Sequence, residues 1–292
     1  MTTTESASAR FSGIDDWTSA ELVAGILEGQ YAAIAAVQAA SEAIARTIDA
    51  AAERLSAGGR LVYLGAGTSG RIATQDAAEL PPTYNWPYER AITLMAGGET
   101  ALNKAAEGAE DSEEEAMRRL EAARVGPNDV VIGLAASGRT PYVIAGLTFA
   151  RSRGALTVGI FNNRGGRVGE ACEIPILLET GPEFVAGSTR MKAGTAQKAA
   201  LNCISTGAMI KLGFVYRGLM VEMRPTNVKL NERAALMVAD LTGADIETAR
   251  KTLAEADGII KLATVMLTKS LSREAAQGAL DAAGGNLRRA LV

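Results

Sequence analysis

Five short stretches rich in Val, Ile and Leu recur along this chain, at 60–64, 91–95, 129–134, 155–161 and 174–179, with helical or loop segments between them. Apolar runs separated by crossover-length connections are the mark of a parallel β-sheet covered on both faces. Two of these runs end in loops of one chemistry. Leu61-Val62-Tyr63-Leu64 leads into Gly65-Ala66-Gly67-Thr68-Ser69-Gly70-Arg71, and Val130-Val131-Ile132-Gly133-Leu134 into Ala135-Ala136-Ser137-Gly138-Arg139-Thr140. Ligands of such sheets sit beyond the carboxyl ends of the strands, where both loops fall. Glycine lets the backbone turn with its N–H groups pointing one way, hydroxyls add donors, and a helix N-terminus behind them favours an anion. The pair predicts a seat for a phosphate monoester. A third stretch, Gly187-Ser188-Thr189-Arg190-Met191-Lys192-Ala193-Gly194-Thr195, repeats the chemistry with two cations added. The residues assigned to the seat are Gly67, Thr68, Ser69, Ser137, Gly138, Thr140, Ser188, Arg190 and Lys192. Arg71 and Arg139 read equally well as partners of structural carboxylates.

The 292 residues suit one large α/β domain with a small one appended. A net charge of -3 argues against a nucleic-acid surface. No apolar run is read as reaching membrane-spanning length, and Met1–Ser12 lacks the basic-then-apolar layout of a signal peptide, so the expected location is the cytoplasm. Cys172 and Cys203 are too few for a disulfide framework or a cysteine-based zinc site. The chain has no histidine, which removes Ser-His-Asp and Cys-His nucleophiles, His-ligated metals and His acid/base chemistry. No metal or other cofactor is expected, and carboxylates are the leading proton carriers.

Residues 1–15 read as a polar arm rather than a folded element. From Ala20 to Leu55 the apolar spacing predicts two helices broken near Gly29, and Ala193–Leu212 predicts one long helix with small residues along it. After Thr226-Asn227, four short amphipathic helices are predicted at 229–241, 245–256, 258–267 and 272–283. The expected organisation is therefore an arm at 1–18, an α/β domain at 19–225 and a helical domain at 226–292.

Gly65-x-Gly67-x-x-Gly70 also fits a dinucleotide fingerprint, but that pattern wants an acid at the end of the next strand. Ala91–Met95 runs instead into Ala96-Gly97-Gly98, and Pro81-Pro82 and Pro87 interrupt the crossover. Two acids stand out. Glu79 lies at the far end of the helix that begins at the first loop, roughly 15 Å along it, too far to touch a phosphate in that loop. Glu110 precedes an acidic run, and spacing alone does not separate it from Glu107 or Glu113.

With these residues in hand, the chain resembles the N-acetylmuramic acid 6-phosphate etherases of the SIS (sugar isomerase) fold. The matching stretches are LVYLGAGTSGRIATQDAAELPPTY, AGGETALNKAAEGAEDS, LAASGRTPYVIAGL, GSTRMKAGTAQK and TNVKLNER, and the resemblance covers residues 57 to 292. It implies a parallel five-stranded SIS sheet flanked by helices, a small C-terminal UBA-like helical domain, and a cytoplasmic homodimer that acts on a sugar phosphate, with sites near the interface. The implied reaction is loss of the C2 proton from the ring-opened sugar, departure of D-lactate from C3, and addition of water. Carried over by motif, the catalytic pair is Glu79, as the acid on the ether oxygen, and Glu110, as the C2 base. Burial of Glu79 would raise its pKa in the direction an acid needs. A non-catalytic sugar-phosphate sensor of the same fold is the alternative, and it would need neither glutamate. Departures cluster at the N-terminus: Thr4-Glu5 fits the family's arm, but Ser8 and Phe11 replace its later polar positions, and Leu80 stands where a cysteine is common.

Overall fold

The computed structural model describes residues 2–104 and 106–292, so Met1 of the expected arm and Ala105 lie outside it. The elements in chain order are α1 (Ser19–Ala39), α2 (Ser41–Ser56), β1 (Leu61–Gly65), α3 (Gly67–Tyr84), β2 (Ala91–Met95), α4 (Glu113–Ala122), β3 (Val130–Ala135), α5 (Pro141–Ser152), β4 (Leu156–Phe161), α6 (Val168–Ala171), β5 (Ile174–Leu177) and α7 (Lys192–Lys211). Five further helices follow: α8 (Val228–Thr242), α9 (Ile246–Glu255), α10 (Ile260–Lys269), α11 (Arg273–Ala282) and α12 (Leu287–Ala290). The five strands form one sheet of order β2-β1-β3-β4-β5, and every pairing is parallel. All five fall within two residues of the apolar runs, and β1, β3 and β4 are buried throughout, so no alternation blurs their ends.

Register decides where the loops meet. Gly65 pairs with Leu134, so β1 and β3 end side by side and their loops emerge at the same level. The strand order reverses between these two strands, and that is where a crevice opens in a doubly wound sheet. The first loop leaves β1 tightly: a Cβ on Gly65 would lie 2.9 Å from the Gly70 Cα, so only glycine allows this turn from strand to helix.

The chain divides into two compact units, the first holding the residues up to Ala78 with Tyr88–Gly207, the second Glu79–Pro87 with Ala208–Val292. In the first, Val62, Leu64, Val131, Val143 and Leu147 form a buried core beside the sheet. In the second, Met237, Val238, Leu262, Val265 and Leu280 fill a core of their own. Its helices start where short polar side chains cap them: Asn227 accepts from Leu230 N–H at 2.9 Å, Asp245 from Thr248 N–H at 3.0 Å, and Ser272 from Ala275 N–H at 3.3 Å.

Four expectations need correction. The break between α1 and α2 falls at Ala40, not near Gly29. Gly29 is helical, and a Cβ there would lie 3.3 Å from the Cδ of Lys192, so the glycine leaves room for that side chain. Helix α3 continues through Pro81 and Pro82 to Tyr84, with Asn85 N–H closing on Pro81 C=O at 2.8 Å. Helix α1, at 21 residues and mean hydropathy 1.3 over its most apolar stretch, is long and apolar enough to cross a membrane by length and composition. Its alanines dilute the run and hide it from the eye. Finally, the N-terminal segment is folded: single 3-10 turns at Thr3–Glu5, Ala9–Phe11 and Ile14–Asp16 precede α1. Phe11 and Trp17 pack on Phe184, with ring centroids 4.8 and 6.0 Å away, an anchor that the local polarity conceals.

Candidate active site

A cleft of about 390 Å³ opens over the ends of β1 and β3. Its floor is the first loop, through Gly67, Thr68 and Ser69, facing the second loop, through Ser137, Arg139 and Thr140. Gly67 has φ +53° and Gly138 φ +69°, left-handed values that favour glycine at these two turns. Helix α3 starts at Gly67, so its first N–H groups belong to residues that line the cleft. Thr140 stands at the N-terminus of α5, with Pro141 in the first helical position. The Ser137 hydroxyl accepts the Arg139 N–H at 3.1 Å and so shapes the second loop. Gly138 does not line the cleft. It is the turn itself, donating its N–H to Ala135 C=O at 2.9 Å and lying so close to Gly166 that a Cβ would meet the Gly166 Cα at 3.0 Å.

The third stretch behaves differently. Gly187 and Thr189 reach the cleft, whereas Ser188, Arg190 and Lys192 are not among its lining residues. Arg190 is exposed, and Lys192 is buried. The start of α7 is taken by Glu183, only 1% exposed, whose carboxylate accepts from Lys192 N–H at 3.1 Å and Ala193 N–H at 2.9 Å. Burial pushes the Glu183 carboxyl up, and the two N–H groups pull it part of the way back. Burial likewise pushes the Lys192 ammonium down, with Glu183 and Glu28 opposing. Arg139 is the one cationic side chain that the described lining contains. Arg71 serves structure: its guanidinium donates to Leu102 C=O and Ala101 C=O, each at 2.9 Å, and so ties α3 to the segment leading toward Glu110.

Glu110 sits on a single turn at Ala109–Asp111, and both it and Asp111 line the cleft. That placement separates Glu110 from Glu113, which begins α4. Glu107 and Glu110 also border an adjoining cavity of about 200 Å³. Glu79 is exposed, belongs to the second unit, and is not among the cleft's lining residues. The burial expected of Glu79 is therefore absent within one chain. Three residues before it, Asp76 is buried and accepts from Tyr63 O–H at 2.8 Å, Asn202 Nδ2 at 2.8 Å and the Ser205 hydroxyl at 3.1 Å. This carboxylate ties α3 to β1 and α7. Burial raises its pKa, while the three donors oppose the shift.

Sequence reasoning missed Thr4, Glu5 and Asp111 as lining residues and Glu183 as the α7 cap. Thr2-x-x-Glu5 is a capping-box spacing, a legible signal for the first turn. Glu183 offers none, since it lies nine residues before the helix that it caps. Among the described residues, no group of three or more His, Cys, Asp or Glu side chains is placed to hold a metal ion.

Residues 43–151 match the N-terminal SIS domain of glucokinase regulatory protein, and residues 100–206 match the SIS domain. A protein of Deinococcus radiodurans named N-acetylmuramic acid 6-phosphate etherase is 47% identical over 288 residues, spanning 99% of this chain and 94% of its own. One of the same name from Lactobacillus gasseri is 46% identical over 289 residues, spanning 99% and 97%. Among solved structures, a putative sugar-phosphate isomerase of Listeria monocytogenes superposes with TM-score 0.50 over 68% of this chain and 94% of its own. At 15% identity, that likeness is one of fold alone.

Proposed function

This chain belongs to the N-acetylmuramic acid 6-phosphate etherase family, with an SIS fold, and from that premise we propose how its cleft carries the reaction. It is a carbon–oxygen lyase that cleaves the D-lactyl ether of N-acetylmuramic acid 6-phosphate, giving N-acetylglucosamine 6-phosphate and D-lactate. The regulatory alternative is set aside: near-full-length relatives carry the etherase name, although the first part of the chain also matches a regulatory protein's domain.

The observation that carries the reading is a carboxylate, Glu110, in the same cleft as two hydroxyl-bearing anion loops. In our reading the 6-phosphate rests on Gly67, Thr68, Ser69, Ser137 and Thr140, where backbone N–H groups, hydroxyls and the start of α3 supply donors. The third stretch adds its donors through Ser188, Arg190 and Lys192 only if that loop rearranges on binding. Anchoring the phosphate makes the later proton transfers effectively unimolecular. Glu110 takes the proton from C2 of the ring-opened sugar, acidified by the C1 aldehyde. The C2–H electron pair becomes the C2=C3 bond, the C3–O bond breaks, and the departing oxygen takes a proton from a carboxylic acid. Water then adds at C3, and C2 regains a proton. An alkoxide is a poor leaving group without that donor, so the second carboxyl has to reach the ether oxygen.

We assign the donor to Glu79, acting in a homodimer in which Glu79 of the partner subunit serves the cleft. Its exposure leaves it available to a second copy. A further support is the apolar stripe of α1, where Val23, Leu27, Tyr31 and Ile34 are all exposed. The substrate carries both a phosphate and a lactyl carboxylate and does not cross a bilayer unaided, so we read the reaction as cytoplasmic, within amino-sugar recycling from the cell wall.

The test is turnover of N-acetylmuramic acid 6-phosphate in water enriched in oxygen-18, without added metal or nucleotide. Release of D-lactate with the label on C3 of the sugar is the expected result. Label in the lactate would overturn elimination, and no release at all would overturn the etherase reading.

A further inference from the structure

Thr4 is 1% exposed, although it lies in a polar segment that the sequence reads as an arm. Three hydrogen bonds hold it. Its N–H donates to Asn163 Oδ1 at 3.1 Å, its hydroxyl accepts from Asn163 Nδ2 at 2.9 Å, and its C=O accepts the Gly187 N–H at 3.0 Å. Asn163 Nδ2 also donates to Ala136 C=O, at 2.8 Å, in the second anion loop. Residues 2–6 are thus strapped between the second loop and the third stretch, and the strap places Thr4 and Glu5 on the wall of the cleft. Buried polar groups fully matched in this way fix one geometry, because any other leaves them unpaired.

Glu5 itself is exposed to the cleft, and the Thr2 N–H donates to its carboxylate at 3.3 Å. That bond and the nearby Arg139 keep Glu5 below the usual carboxylate range, so at neutral pH it accepts hydrogen bonds and donates none. A phosphate cannot use such a group. A sugar hydroxyl or an acetamido N–H can.

We propose that the strap is a built part of the substrate site and that Glu5 is a specificity-determining residue, accepting a hydrogen bond from a hydroxyl or amide N–H of the sugar while the loops hold the phosphate. This rests on the sugar-phosphate reading above. It divides recognition in two: the loops read the anion, and the strap reads what the anion is attached to.

The experiment compares wild type, Glu5→Ala, Glu5→Gln and Thr4→Val, using two ligands that need no turnover, N-acetylglucosamine 6-phosphate and inorganic phosphate, by calorimetry. Glu5→Ala should weaken the sugar phosphate about tenfold and leave inorganic phosphate within about twofold. Glu5→Gln, which keeps one acceptor oxygen, should recover most of the loss, and Thr4→Val should shift sugar-phosphate affinity in the same direction by less. In turnover, Glu5→Ala should raise KM with kcat within about threefold. Equal losses for both ligands, or no loss for either, would overturn the proposal. A wild type that binds both ligands but releases no D-lactate would sink the etherase reading and leave the strap to be judged by binding alone.

Discussion

Helices α3 and α7 start from loops of nearly the same composition and are put to opposite uses. The first turn of α3 holds Gly67, Thr68 and Ser69, α7 follows Gly187, Ser188 and Thr189, and each helix presents a turn of N–H groups with positive potential. At α3 those groups belong to residues that line the cleft. At α7 the Glu183 carboxylate already holds the first two N–H groups, and the cation beside them, Lys192, is buried. One helix start opens on the cleft, where we propose the ligand's charge rests, while the other is neutralised by the protein's own. The lesson is that a glycine- and hydroxyl-rich loop before a helix marks a place for an anion without saying whose anion it is.

Making α3 resemble α7 should give the largest effect. Thr68→Asp puts a carboxylate on the first turn of α3, where it competes with substrate phosphate for the same donors and repels it. We expect kcat/KM to fall by about 10³, roughly 4 kcal/mol of lost transition-state binding. Thermal stability should hold or rise slightly, because an acid near a helix N-terminus is favourable. A variant that lost both activity and stability would mean that the loop is structural and that the phosphate sits elsewhere.

Making α7 resemble α3 should be milder and opposite in sign. Glu183→Ala leaves two buried N–H groups without an acceptor and should cost about 2 kcal/mol in urea unfolding. Once folded, the variant should bind inorganic phosphate within about twofold of wild type. If phosphate affinity collapsed with Glu183, the third stretch would belong to the seat after all, and the contrast between the two helices would fail.

The strands and their glycine loops are legible because each rests on a contiguous run whose composition carries its own reason. What escapes is decided by partners distant in sequence. Thr4 is pinned by Asn163, 159 residues away, so nothing within the segment 2–6 announces that it is buried. Gly29 looks like a helix breaker, but its place in α1 leaves room for the Lys192 side chain, 163 residues away. Lys192, expected at the seat, is not among the cleft's lining residues, and its backbone N–H goes to Glu183, nine residues earlier. Of the two glutamates implied by family resemblance, Glu110 lies in the cleft of its own chain, and Glu79 is read as serving a second copy's cleft, a relation that its distance along α3 from the first loop already suggests.

Asp76 sharpens the comparison, since it joins the two helices: it sits on α3 and takes donors from Asn202 and Ser205 on α7, as well as from Tyr63 on β1. Asp76→Asn keeps the shape and removes part of the acceptor capacity, which should cost about 1 kcal/mol. The sign of its pH dependence follows from burial. Because the folded pKa is raised, the protonated carboxyl's contribution to stability is fully present below the ordinary value of 3.8 and is lost as pH rises through the folded pKa. The gap between wild type and Asp76→Asn in urea unfolding should therefore be wider near pH 4 than at pH 7. A gap that widened toward pH 7 would show that the three donors outweigh burial and hold Asp76 ionised. The joint between the helix that opens on the cleft and the neutralised one would then itself be a buried charge, and substitutions at Asn202 or Ser205 should destabilise the protein more at pH 7 than near pH 4.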